Sequence, residues 1–351
     1  MRILNLIDIP WNSGLASYAF DQARALKAAG HAVYFACPDG SAAREFAGRE
    51  GFVYFPLPDR KEPFLRLPFL KLKKILAVER IDIISAHTGK TQTLAFLLSF
   101  FSAKKTAVIR TKADARPPSK NFSFMKVSKI IAASDFIRKG YLKLGFAPEK
   151  IERIYQGIHL PAVTAKKQGP PYRIGILGRL DPVKGHADFL RAAALLRKKR
   201  DDLEFMIAGY ESGIKYPQLR AFAHDLGLTG KVSFLGRVAK PAAFMAGCDI
   251  GVIASAGSEA VSRAALEWLA ASRPVIATAV GSLGEFIEPE FLVPPSNPEA
   301  LAEKIEDILK VPHALQSTGA LNRQKAENMF SFERFAKATE RIFLEAAPGS
   351  R

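Results

Sequence analysis

Short apolar runs alternate with helix-like segments along this chain, the alternation breaks once, and then it starts again. The first series reads as strands at residues 3–8 (ILNLID), 31–37 (HAVYFAC), 52–57 (FVYFPL), 81–87 (IDIISAH), 106–111 (TAVIRT) and 129–134 (KIIAAS). Residues 15–29 between the first two are helix-like, with Ala19, Ala23 and Leu26 on one face and Gly30 as the stop. Strands separated by helices pair in parallel, with the helices covering both faces of the sheet. Residues 161–172 (PAVTAKKQGPPY) are rich in Pro, Gly and Lys and read as a linker. Beyond it strands are expected at 173–178, 203–209, 232–236, 249–255 and 274–280, with helices at 186–200 and 216–226. A chain of 351 residues exceeds one ordinary core. The fold class expected is therefore α/β: two doubly wound domains, 1–160 and 173–330, joined by 161–172. Residues 331–351 are expected to form a C-terminal helix that returns to the first domain. Ligands of such sheets meet the carboxyl ends of the strands, which puts the expected site in a cleft between the domains.

Charge narrows the partners. The net charge is +17, and it is unevenly placed. Residues 1–169 hold 28 basic and 13 acidic side chains, whereas 170–351 hold 23 and 21. A basic half calls for an anionic partner, such as a phosphorylated acceptor or an anionic membrane surface. Nucleic acid is not expected, because neither a zinc-finger spacing nor an RNP1-type aromatic motif is present. Residues 63–80 (PFLRLPFLKLKKILAVER) interleave apolar side chains with Arg66, Lys71, Lys73 and Lys74, a pattern suited to a lipid interface, with Pro68 interrupting the helix. Residues 94–105 (LAFLLSFFSAKK) read instead as a core helix with a basic outer face. The apolar run 94–103 is about half the length that spans a bilayer. The opening MRILNLIDIP lacks the pattern of a signal peptide. Cys37 and Cys248 have no metal or disulfide spacing and fit a reducing compartment. The expected location is cytoplasmic, peripheral on the inner face of the cytoplasmic membrane.

Two motifs carry chemistry. In GRLDPVKGH (178–186), Arg179 and Lys184 follow a buried strand between slim glycines. A diphosphate suits that pair: Arg offers a bidentate fork and Lys a point charge. In SEAVSRAALEWLAASRPVIATAVGSLGEFI (258–287), Glu259 stands just before a helix and Glu267 inside it. A helix opening near Val261 and Ser262 aims free N–H groups at an anion. Glu259 there suits sugar hydroxyls, and Glu267 suits ribose hydroxyls.

These segments resemble family-4-type retaining glycosyltransferases of the GT-B fold, which has two Rossmann-like domains, and the lipopolysaccharide-core transferases among them. The two glutamates, GRLDPVKG, AGCDIGVIAS (246–255), AASDFIRKGYLKLGFAPEKIERIYQGI (132–158) and SGLASYAFDQARALKAAGHAVYFA (13–36) occur in the family's order and cover nearly the whole chain. The resemblance implies that Arg179 and Lys184 hold the donor diphosphate, Glu259 the donor sugar and Glu267 the ribose. It implies that Gly14 brings an N–H near the phosphates and that Ala260, Val261 and Ser262 present amides to the donor. His87 matches a histidine close to the reacting sugar. Departures fall at Ala260–Arg263, where relatives often carry Gly-Phe-Gly, at Ser13-Gly14 in place of paired glycines, and at His159 in place of an aspartate.

The implied activity is transfer of a glycosyl group from a nucleotide sugar, a co-substrate, to a glycan or lipid-linked acceptor of the cell envelope. Anomeric configuration is retained, and no metal or cofactor is expected. Arg110 and Lys112, after the fifth strand, are expected to dock the acceptor with Arg116 and Lys120. Two other readings share the architecture: a sugar-nucleotide epimerase, which needs paired acid/base groups around the sugar, and a non-catalytic anion- or membrane-binding protein.

Overall fold

Thirteen parallel strands in two sheets form the framework of the computed structural model, which describes residues 1–58, 67–102, 105–163, 169–257, 259–311 and 313–349. Residues 63–66 of the basic segment, 164–168 of the linker and Ser258 lie outside the described residues. The first sheet holds β1 (Arg2–Leu6), β2 (Ala32–Pro38), β3 (Val53–Leu57), β4 (Ile83–Ala86), β5 (Ala107–Lys112), β6 (Val127–Ala132) and β7 (Ile151–Arg153). Their order is β3-β2-β1-β4-β5-β6-β7. The second sheet holds β8 (Tyr172–Leu177), β9 (Leu203–Ala208), β10 (Val232–Phe234), β11 (Ile250–Ile253), β12 (Val275–Thr278) and β13 (Leu292–Val293), in the order β10-β9-β8-β11-β12-β13. Each sheet runs outward from its first strand in one direction and then in the other. The reversal falls between β1 and β4, and again between β8 and β11, and a crevice opens at such a point because the two connections leave in opposite directions.

The chain divides into one unit of Met1–Gly157 plus the residues from Phe332 onward, and a second of Ile158–Ser331. The last helix, Phe332–Ala346, belongs to the first unit. Phe335 packs edge-on against Tyr18 at 5.3 Å between centroids, and Arg341 pairs with Glu152 at the end of the sheet.

Strand cores match the apolar runs, because strands covered on both faces need apolar residues at nearly every position. Glycines at two strand positions are dictated by packing. Gly175 on β8 and Gly251 on β11 stand opposite each other in register. A Cβ on Gly251 would lie 2.3 Å from the Trp268 ring, and one on Gly175 would lie 2.9 Å from it. The two glycines form a flat bed for the fully buried indole. Trp268 in turn seats helix Arg263–Ala270, which carries Glu267. Truncating such a side chain costs about 3–5 kcal/mol.

Helix Leu67–Val78 carries Pro68 at its described start, where a missing N–H is tolerated, and runs unbroken beyond it; residues 63–66 before the proline lie outside the described residues. Helix Gly89–Phe100 buries Leu94, Ala95, Phe96 and Leu98 as a core helix does, yet Phe100 and the following Phe101 remain exposed.

Candidate functional site

In the second unit Lys184 and Glu259 meet where the strand order reverses. After β8 the chain passes Gly178 and Arg179 into a tight turn, Pro182–Lys184, capped by Asp181, whose carboxylate accepts from Val183 N–H at 3.0 Å. Gly185 follows at φ 70°, and a Cβ there would lie 1.8 Å from the carbonyl oxygen of Ala254 at the end of β11. The Ala256 N–H donates to the Val183 carbonyl at 2.9 Å and stitches the two loops together. That close approach brings Lys184 and Glu259 into contact across 75 residues of chain.

Glu259 is the buried centre of the cluster, 3% exposed. Its Oε1 accepts from Lys184 Nζ at 2.5 Å and from Ser255 Oγ at 2.5 Å. Its backbone carbonyl accepts from the N–H and hydroxyl of Ser282 at 2.7 and 3.0 Å. Gly281 makes that approach possible: its φ is 57°, and a Cβ would sit 2.1 Å from the Glu259 carbonyl oxygen. Thr278 on β12 donates to the Ser255 carbonyl at 2.6 Å. A buried carboxylate held this way is positioned from three strand ends at once. Ser255, Thr278, Gly281 and Ser282 did not emerge from the sequence. Ser255 closes the AGCDIGVIAS run, the one local signal that pointed toward it.

Arg179, on the loop that leads to Lys184, has its side chain partly exposed. Its Nη2 lies 3.2 Å from Asp181, and its buried Nε has no hydrogen-bond partner among the described residues. Ala260 and Ser262 are buried and Val261 is half-buried. Ser262 is the N-cap of helix Arg263–Ala270 and makes no side-chain capping bond to its first-turn N–H groups among the described residues. Glu267, four residues on, receives a hydrogen bond from Arg263 Nε at 2.8 Å. His186, the first residue of helix His186–Arg197, is fully buried with both ring nitrogens unpartnered among the described residues. Burial, with the Lys184 charge nearby, pushes its pKa down to about 4.

In the first unit the polar residues also collect where the strand order reverses. Asn5 on β1 and Ser85 on β4 are register partners, and His87 follows Ser85 by two residues. His87 is fully buried. Its Nε2 lies 3.3 Å from Asn5 Oδ1 and 3.3 Å from Ser85 Oγ. Because Asn5 Oδ1 accepts and Ser85 donates to Gln22, Nε2 carries the proton. Nδ1 is then a lone-pair acceptor without a partner among the described residues. Burial and the nearby Arg110 push the His87 pKa down to about 3, so the ring is neutral at physiological pH. Thr88 donates to Asp8 at 2.6 Å. Gly14, exposed, opens helix Gly14–Ala28 behind the Ser13 cap.

Arg110 and Lys112, expected to dock the acceptor, are buried cations with partners inside the first unit. Both lie within β5 and are only 4% exposed. Arg110 Nη1 donates to the carbonyls of Ala86 and Thr111 at 3.1 and 2.6 Å, and Lys112 pairs with Asp114 at 2.6 Å. Burial lowers the Lys112 pKa. A cation taken out of water must be satisfied internally, and these two are. Arg116 and Lys120 beyond the strand are exposed.

Two family models match the chain: glycosyl transferases group 1 over residues 171–311, and glycosyltransferase family 4 over residues 12–161. An uncharacterised glycosyltransferase of Methanocaldococcus jannaschii is 31% identical over 78% of this chain and 78% of its own. A D-inositol 3-phosphate glycosyltransferase of Paenarthrobacter aurescens is 34% identical over 51% of this chain. An N-acetylgalactosamine-N,N'-diacetylbacillosaminyl-diphospho-undecaprenol 4-alpha-N-acetylgalactosaminyltransferase of Campylobacter jejuni is 30% identical over 61%. The chain spans 45% and 63% of the length of these last two relatives. Among solved structures, Anabaena HepE in complex with UDP matches with a TM-score of 0.84, covering 98% of this chain and 99% of that one at 19% identity, a likeness of fold.

Proposed function

This chain belongs to the family-4, group 1 glycosyltransferases, and from that premise we propose that it moves a sugar from a nucleoside-diphosphate sugar to a glycan or lipid-linked acceptor of the cell envelope, with retention and without a metal or cofactor. The observation that carries the proposal is the cluster of Lys184, Ser255 and Glu259 where the second sheet reverses, with Arg179 on the loop that leads to Lys184 and its Nε unpartnered among the described residues. Arg179 and Lys184 take the diphosphate, together with the amides of Ala260, Val261 and Ser262. Glu259 has Oε1 committed to two donors and offers its second oxygen to a sugar hydroxyl. Glu267 binds the ribose, oriented by Arg263. The neutral His87 accepts a sugar hydroxyl at Nδ1, and Gly14 contributes its N–H to the phosphates.

In the reaction the bond from the anomeric carbon to the phosphate oxygen breaks, and a bond to the acceptor oxygen forms on the same face. The acceptor proton passes to the departing phosphate oxygen, so no protein base is required. The two cations stabilise the charge that develops on the leaving group, which is the dominant contribution in reactions of this type. The Campylobacter relative, by its name, acts on a diphospho-undecaprenol glycan, and HepE was solved with UDP; both support a lipid-linked acceptor and a uridine donor.

The test is to incubate UDP-, GDP- and ADP-sugars with the protein, with and without a crude glycolipid extract, and to read the anomeric configuration by NMR. Acceptor-dependent transfer with retained configuration is expected. A donor epimerised in the absence of any acceptor, or a product of inverted configuration, would overturn the proposal.

A further inference from the structure

In the first unit, helix Leu67–Val78 buries Leu72 and Leu76 and leaves Leu70, Lys71, Lys73 and Lys74 exposed. Beside it Phe100 and Phe101 are 55% and 51% exposed, and the turn Phe122–Lys126 adds Phe122 and Met125 at 59% and 72%. The aromatic side chains among them are joined through ring contacts. Phe69 meets Phe101 edge-on at 5.3 Å, and Phe96 bridges Phe100 and Phe122 at 5.0 and 5.3 Å. Lys73 Nζ lies 5.1 Å from the Phe101 ring centre and Lys126 Nζ 4.6 Å from that of Phe100. Single exposed apolar residues are ordinary, but a joined aromatic patch edged by lysines marks an interaction surface.

We propose that this patch docks on an anionic lipid surface, with Phe100, Phe101, Phe122 and Met125 entering the interface and the lysines lying at headgroup level. Charge selects this occupant. None of the three elements carries an acidic residue, and between residues 83 and 134 Asp114 is the one acid among nine basic residues. A second copy of the chain fits poorly, because a two-fold contact sets a patch against itself and would press lysines onto lysines. Lysines whose stems lie along apolar rings and whose charges stay in water match the layered polarity of a bilayer surface. No helix among the described residues is long and apolar enough to cross a membrane, so the contact is a surface one. Each lysine near an anionic surface strengthens partitioning about fivefold. The inference is independent of the catalytic proposal, since binding is read without any donor.

The experiment is co-sedimentation of the full chain with vesicles of phosphatidylcholine alone, or containing about a third phosphatidylglycerol, at low and high salt. Binding to the anionic vesicles only, weakened by salt, is expected. Joint Lys71→Glu, Lys73→Glu and Lys74→Glu substitution should reduce partitioning at least tenfold. Phe100→Ser with Phe101→Ser, or Phe122→Ser with Met125→Ser as a second pair, should reduce it while thermal unfolding stays that of the parent. Wild-type protein left in the supernatant with anionic vesicles overturns the inference. So does binding indifferent to the lysine and aromatic changes, or a dimer in gel filtration that Phe100→Ser dissociates while vesicles go unbound.

Discussion

Replacing Lys184 with Met removes a charge and keeps most of the side-chain stem. Glu259 then keeps Ser255 as its remaining donor at Oε1 while being 3% exposed. Breaking a fully buried pair costs about 3–5 kcal/mol, because the remaining charge stays desolvated. The Lys184 side chain is 25% exposed, so water reaches its side of the pair and the cost drops to about 2 kcal/mol. For a unit of this size that lowers the melting temperature by about 4–8 °C. The reasoning makes a sharper demand on Lys184→Met combined with Glu259→Gln. With neither charge left unpaired, the double variant should recover at least about 1 kcal/mol relative to the sum of the single changes. Donor turnover should stay lost in all three. Thermal unfolding by circular dichroism, run as a double-mutant cycle, measures this. A Lys184→Met protein that melts like the parent, or costs that simply add, would show that the pair does not hold Glu259 in place.

Gly281→Ala, at φ 57° and 2.1 Å from the Glu259 carbonyl oxygen, should cost more than about 2 kcal/mol, whereas Gly230→Ala, strained at φ 74° with open space around it, should cost about 1 kcal/mol; chemical denaturation of both ranks them. His186→Leu removes two unpartnered buried nitrogens and should stabilise by about 1 kcal/mol at pH 7. The unfolded chain takes up a proton near pH 6.5 and the folded His186 only near 4, so the parent loses stability as pH falls between those values; the advantage of the variant should widen by about 2 kcal/mol at pH 5, read from denaturation midpoints. Arg179→Ala should weaken UDP or GDP binding by about 10–100-fold in calorimetry, with little change in melting because its ion pair is partly exposed.

The fold was legible because its strands are covered on both faces and so read as unbroken apolar runs, and because Gly30 and the Pro/Gly-rich segment 161–172 punctuate them. Strand β13 was not, since two residues, Leu292–Val293, leave no pattern. That Arg179, Lys184 and Glu259 stand on loops after strands was legible, because each follows an apolar run. Their partners were not. Lys184 meets Glu259 because β8 and β11 are neighbours and Gly185 lets one loop press on the other, a relation that spacing along the chain does not carry. The burial of Arg110 and Lys112 was hidden for a related reason: a cation's carbonyl and carboxylate partners are not visible in a sequence. Likewise, Phe100 and Phe101 sit in a run that reads as core, yet lie at the helix end that the unit leaves uncovered.

The most direct measurement is nucleoside-diphosphate release from the active donor by the parent and by Glu259→Gln, which keeps the shape of the side chain and removes its charge. Release by the parent that falls at least about 100-fold in the variant is the expected result, in line with the loss of one preorganised electrostatic contact in a buried site. Release that is the same in both proteins would contradict the assignment of the donor site to the Glu259 cluster.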